Sequence, residues 1–196
     1  KEGSPFEENT IGEIWRQRSS NFVVLLDNDF FGNPKWQERI EEIQTHDLRV
    51  CFSQGLNIRI LTVEQAEALA SVEFRNMNNT FKQVYFAWDQ FGKGTERLID
   101  QGIERCFNAG LKPHNMAFFV LIGFNTTHEQ NLYRVRKLKD YGCDPHVMLY
   151  DRSDDYQKRF ARWVNHRAVF HTTSWEDYER SVRKREKSPD QMELMT

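Results

Sequence analysis

The chain has 196 residues, with 27 Lys and Arg against 29 Asp and Glu, so its formal net charge at pH 7 is −2. That balance leaves no basic footprint for duplex nucleic acid, and 39% hydrophobic with 13% aromatic residues supplies the core of one sizeable domain, not two. No run approaches the roughly 18 apolar residues of a bilayer span, so no membrane association is expected.

In chain order, KEGSPF reads as loop, and Thr10 with Glu13 opens a helix by the capping-box rule, in which hydroxyl and carboxylate each accept a backbone N–H from the other residue. The first apolar run, 22–26, ends in Asp27, Asn28 and Asp29. Further short runs rich in Val, Phe, Ile and Leu follow at 49–52, 83–87, 117–122 and 146–150. They mostly lack alternation, as strands covered on both faces do. Between them lie helical patterns, with capping pairs at Thr62/Gln65 and Thr126/Glu129, and with Gly110 and Gly142 where helices should stop. Five strand–helix units at intervals of about 25 to 35 residues predict an α/β fold with parallel strands. On pattern alone, a barrel-like and an open doubly wound sheet both fit. DRSDDYQKRFARWVNHRAVF is expected as a closing helix with Phe160, Trp163 and Val164 on one face. HTTSWEDY is expected as a capped turn, and residues 179–196 as a charged helix end with a frayed tail. Cys51, Cys106 and Cys143 are odd in number and far apart, which fits buried thiols in a reducing cytoplasm and neither a disulfide framework nor a metal-ligand spacing.

Ligands of parallel α/β folds sit beyond the carboxyl ends of the strands. Here those positions are polar: Asp27, Asn28 and Asp29; then Ser53, Gln54, Gly55, Asn57 and Arg59; then Trp88 and Asp89; then Gly123, Asn125 and Thr126; then Asp151 and Arg152. One reading takes Asp27 as the nucleophile and Asp29 as the acid–base of a Mg-dependent haloacid-dehalogenase-like phosphatase, since an apolar strand followed by Asp-x-Asp opens that family. Phe30 and Phe31 depart from its pattern, and no lysine stands convincingly at a strand end. Another reading makes the five polar segments the mouth of a cofactor-binding barrel, and a third makes them part of a non-catalytic nucleotide-binding module.

LLDNDFFG, VCFSQGLNIRILT, VYFAWD, FFVLIGFNTTHEQNLYRV and HVMLYDR, in this order, resemble the body of radical S-adenosylmethionine enzymes, more narrowly a bacterial and phage group with LDNDF and FSQG-N-R blocks. The resemblance covers residues 1–178. It implies a TIM-like parallel partial (β/α)6 barrel that holds a [4Fe–4S] cluster and S-adenosylmethionine, and that generates a 5′-deoxyadenosyl radical to take hydrogen from a substrate. An electron donor such as flavodoxin or ferredoxin is implied with it. The family's C-x3-C-x2-C motif is absent, and no metal ligand is assigned in this chain. The resemblance therefore implies a fragment lacking the first barrel strand, with Lys1 just downstream of the cysteine loop, and a fragment inactive alone. Carried over residue by residue, it implies cofactor contacts at Asp27, Asn28 and Asp29 (toward the methionyl ammonium) and at Gln54, Asn57, Arg59 and Asp89. It implies further contacts at Gly123 beside the adenine and at Met148 and Tyr150 on the last strand. Glu129 is implied to tie down the loop after Gly123. No catalytic residue is assigned, and His128 is expected to be a first-turn helix residue.

Overall fold

Five strands form where these apolar runs lie, β1 (Phe22–Leu25), β2 (Arg49–Phe52), β4 (Val84–Ala87), β5 (Met116–Ile122) and β6 (Asp144–Leu149), and a short sixth, β3 (Glu73–Phe74), forms outside them. The computed structural model describes residues 9–15 and 20–186; KEGSPF and the tail from residue 187 lie outside them. Every strand pairing is parallel, in one sheet ordered β1-β2-β3 and another ordered β4-β5-β6. Leu56, just past β2, joins them. Its N–H donates to the Tyr85 carbonyl at 2.8 Å, and its carbonyl accepts from Ala87 at 3.2 Å. The sheet thus proceeds in sequence order, β1, β2, β4, β5, β6, with β3 pairing only the first residues of β2.

A doubly wound sheet reverses its strand order at an internal first strand. Here β1 is an edge, bonded only to β2 among the described residues, and the order never reverses. The expected parallel α/β class holds. No pairing joins β6 to β1 among the described residues, so the strands form an open surface and not a closed barrel.

Eight helices are described: α1 (Ile11–Trp15), α2 (Trp36–Thr45), α3 (Val63–Ser71), α4 (Lys93–Asn108), α5 (His128–Asp140), α6 (Asp155–Asn165), α7 (Arg167–Thr172) and α8 (Trp175–Glu186). Two expected capping boxes form, Thr10 with Glu13 and Thr62 with Gln65. The third is displaced by one residue. Thr127 and Gln130 exchange the bonds at 3.3 and 2.9 Å, not Thr126 and Glu129. Both pairs satisfy the same spacing; the tight loop through Gly123 (φ +82°) and Asn125 (φ +51°) starts the helix at His128. Gly110 (φ +95°) and Gly142 (φ +77°) close α4 and α5 as left-handed stops, with Leu111 N–H donating to Cys106 and Cys143 N–H to Leu138. The single closing helix expected across 151–170 is broken at His166 into α6 and α7. The turn after it caps α8: Ser174 Oγ accepts the Asp177 N–H at 3.1 Å.

The outer face of the sheet carries the core. Val50, Phe74, Phe86, Phe118, Val120 and Val147 are buried there together with Ile99 and Ile103 of α4, Val135 and Leu138 of α5 and Phe160 of α6. Cover on both faces, expected from the lack of alternation, is found only in part: Cys51 and Ala117, which alternate with the core positions, are buried. Positions on the other face remain partly open: Tyr85 and Phe119 are half-buried, and His146 and Met148 are exposed. The free edge of β6 is closed by Asn165, which accepts the Val147 N–H at 2.7 Å and donates to its carbonyl at 3.0 Å, standing in for a neighbouring strand.

Helices α4 and α5 are clamped by a charged cluster. Lys137 reaches Glu96 at 2.6 Å and Asp100 at 2.8 Å; Tyr141 donates to Asp100 at 2.9 Å and Tyr133 to Glu96. The bonds from Lys137 and Tyr133 hold the Glu96 carboxyl below its ordinary pKa of 4.5. Such a group contributes stability above the unfolded-state value and loses it as pH falls through the folded-state value. Glu96→Gln should therefore lower stability at pH 7 by about 0.5–1 kcal/mol, because the pair is partly solvated, and the deficit should shrink as pH falls through the lowered Glu96 value. Urea denaturation at neutral and acidic pH checks this.

Candidate functional site

Because all six strands are parallel, their carboxyl ends share one edge, and the five polar segments are gathered along it. The first is shaped by its neighbours. Phe30 and Phe31 are buried in a 3-10 turn, Phe30 against the Phe52 ring at 5.0 Å and Phe31 against Trp36 at 5.4 Å. Pinning these rings leaves Asp27, Asn28 and Asp29 exposed. The Asp29 carboxylate folds back over Gly32, where an added Cβ would lie 2.6 Å from its oxygen. No side-chain hydrogen bond of Asp27, Asn28 or Asp29 is made to another described residue.

Ser53 ties the second segment to the first, its hydroxyl and N–H both donating to the Leu25 carbonyl at 2.8 and 3.2 Å. Gln54 is exposed beside it. Arg59 donates to Asn57 Oδ1 at 3.1 Å and reaches Gln90 Oε1 at 3.4 Å, which brings the segment after β2 against the one after β4. Asp89 is exposed; the preceding Trp88 is buried, and its carbonyl accepts from Arg134 at 2.6 Å.

At the far end, Gly123 backs onto Gln157, and a Cβ there would meet its side chain at 2.3 Å. Gln157 also accepts the Asp151 N–H at 3.1 Å, so one buried amide braces the loops after β5 and β6. Tyr150 (61% exposed) lies 5.0 Å from the Phe124 ring (46% exposed), forming a solvent-facing aromatic pair, with Met148 also exposed. The expected site residues thus form two linked groups, Asn57/Arg59 with Gln90, and Gly123 with the segment after β6 through Gln157. Asp27 to Asp29 stand alone at the β1 end. Gln130 completes the capping box with Thr127, while Glu129 also bonds its own backbone N–H and the Thr127 side chain, which lowers the Glu129 pKa. His128 stacks at 3.5 Å on Tyr156, on the α5–α6 side.

Sequence reasoning missed a second feature. A cavity of about 350 Å³ lies on the open face of the sheet toward the amino ends of the strands, with Gln83, Tyr85, Ala117, Phe119, Asp144 and His146 in its lining. Tyr85 and Phe119 stack in parallel planes, 5.2 Å apart and 3° from coplanar, and His146 meets Phe119 edge-on at 5.8 Å. Much of the His146 side chain meets solvent, yet the burial of its ring is enough to lower its pKa. The period-two sets 83/85, 117/119 and 144/146 carry the signal, but each lies in or beside an apolar run that reads as core.

Among the described residues, no group of three or more His, Cys, Asp or Glu side chains is placed to hold a metal ion. Cys51, Cys106 and Cys143 are buried and free, and burial pushes the Cys106 and Cys143 thiols up to about 12. A cluster needs clustered thiolates. These residues do not fit a [4Fe–4S] cluster. None of the described helices is long and apolar enough to cross a membrane. No protein-family model, no curated protein and no solved structure matches the chain.

Proposed function

We propose that the chain is the S-adenosylmethionine-binding body of a radical S-adenosylmethionine-type enzyme, a partial barrel working in the cytoplasm. The observation that carries this reading is the sequential, parallel strand order, which lines up Asp27 to Asp29, Arg59, Asp89, Gly123 and Tyr150 along one edge. The donor set matches the ligand's chemistry. Exposed carboxylates at Asp27 and Asp29 suit an ammonium through charge-assisted hydrogen bonds, and Arg59 suits a carboxylate. The exposed Phe124–Tyr150 pair suits a flat base. When bound, S-adenosylmethionine supplies a sulfonium carbon–sulfur bond that one-electron reduction cleaves.

The described residues hold no cluster, so no step through one is assigned to them, and a flavodoxin- or ferredoxin-like donor belongs to the proposal only with a cluster from elsewhere. A phosphatase using Asp27 and Asp29 is less well supported. Its doubly wound sheet would reverse the strand order, whereas among the described residues the order runs β1, β2, β4, β5, β6 without reversal.

Isothermal titration of the chain with S-adenosylmethionine tests the reading. Saturable binding is expected, weakened about tenfold or more in Asp27→Asn/Asp29→Asn, because removing a charged partner of a charge-assisted bond costs on the order of 1.5–3 kcal/mol. Binding unchanged in that double variant, or no binding, would remove the reading.

A further inference from the structure

The cavity at the amino ends of the strands is unused by the proposed function. Its walls are aromatic and sulfur-bearing: Phe81 and Met77 from the loop before β4, both nearly half exposed, face the same space as the Tyr85–Phe119 stack. That loop is held in place. Asn76, 6% exposed, accepts the Thr80 N–H on its side-chain oxygen at 2.8 Å, and its backbone N–H donates to the Phe81 carbonyl at 3.0 Å. So the exposed rings are presented by a braced turn, not left over from a frayed one.

The charged groups at the rim are already committed to one another. Arg167 Nη2 lies 3.4 Å from Asp144 Oδ2, and His171 Nε2 lies 3.9 Å from the other oxygen. With Asp144 and Arg167 offsetting each other, neither stands as a lone charge for an ionic ligand. Asn165 is also committed, both ends of its amide being bound to Val147. Gln83 is different: its carboxamide, a donor beside an acceptor, lines the cavity at the same edge of β4 as Tyr85. At about 350 Å³ the space falls at the small end of ligand pockets, room for one or two fused rings.

We propose that this cavity binds an uncharged, planar heteroaromatic small molecule of one or two rings, stacked against Tyr85 and Phe119 with its donor–acceptor edge on Gln83. This site meets the strand-end edge at Ser53, which also lines it, and does not depend on the S-adenosylmethionine reading.

Three probes distinguish its components in the full chain, by saturation-transfer NMR and titration calorimetry: 7-azaindole, whose ring edge presents a donor beside an acceptor; indole, which has only the donor; and cyclohexanol, which has no aromatic face. 7-Azaindole is expected to bind with a Kd of about 1 mM or tighter, indole about fivefold more weakly, and cyclohexanol without saturation. Gln83→Leu, at a half-buried position, should erase the preference for 7-azaindole over indole. Tyr85→Leu should weaken both by about tenfold. Folding of each variant is verified by circular dichroism, and the Gln83 variant carries the test if Tyr85→Leu does not fold. Equal binding of cyclohexanol, an unchanged preference in Gln83→Leu, absence of saturable ring binding below about 10 mM, or displacement of 7-azaindole by S-adenosylmethionine would each overturn the proposal.

Discussion

Replacing Arg134 with methionine should lower the stability of the chain by about 2–4 kcal/mol, although it removes a buried charge. Arg134 is fully buried. Its guanidinium donates to the Trp88 carbonyl at 2.6 Å, the Leu121 carbonyl at 2.8 Å and Asn131 Oδ1 at 2.7 Å. It thus ties the end of β4 to the end of β5 from helix α5. Burial pulls its pKa down to about 10, with Asp89 partly offsetting the effect, so it stays protonated at neutral pH. Two effects oppose one another in the variant. Relief of charge desolvation favours methionine by up to a few kcal/mol, but three acceptors, those of Trp88 and Asn131 buried and that of Leu121 part-buried, lose their donor at about 1–3 kcal/mol each. Two of them are backbone carbonyls, which no side-chain change can remove. The orphaned acceptors should win. Guanidinium denaturation measures the difference, and a variant as stable as the parent would mean that water reaches those carbonyls.

A comparable effect is expected from Gly102→Ala. Helix α4 crosses the chain after β2 at this glycine, and an added Cβ would sit 2.3 Å from the Ile58 carbonyl oxygen and 2.5 Å from Ile58 Cγ1. Alanine's better helix propensity favours the change by about 1 kcal/mol. The clash is with backbone, though, and cannot be relieved by a rotamer change, so overpacking of about 1–3 kcal/mol or more should leave the variant about 2 kcal/mol less stable. Ile58 lies between Asn57 and Arg59, so the displaced segment should also weaken any ligand held there. Gly94→Ala is the internal control. Nothing lies within 4 Å of its Cβ position, and it should be neutral or slightly stabilising. Thermal unfolding of the pair separates propensity from packing.

These two contacts were not legible in the sequence, since Gly102 and Arg134 acquire their roles only when α4 and α5 cross the sheet. The strands were legible, because the short runs at 22–26 and 49–52 end at Asp27 and Ser53. β3 was not: Glu73 and Phe74 are two residues between Val72 and Arg75, too few for any periodicity. The capping box of α5 slipped by one because Thr126/Glu129 and Thr127/Gln130 obey the same rule, and local sequence cannot choose between them. The polar edge was visible as a set of strand ends, since a parallel α/β pattern places those ends together. The ring-lined cavity was hidden for the opposite reason. Tyr85 and Phe119 occupy alternate positions in continuous apolar runs, where the inward and outward faces are written in the same residue types.

Hydrogen exchange of the chain with and without S-adenosylmethionine tests the central claim most directly. The strand-end reading predicts slower exchange in the segments around Asp27 to Asp29, Gln54 to Arg59, Gly123 to Asn125 and Tyr150, with no change around Gln83 and Tyr85. Protection at Gln83 and Tyr85 alone, or no protection at saturating ligand, would contradict it.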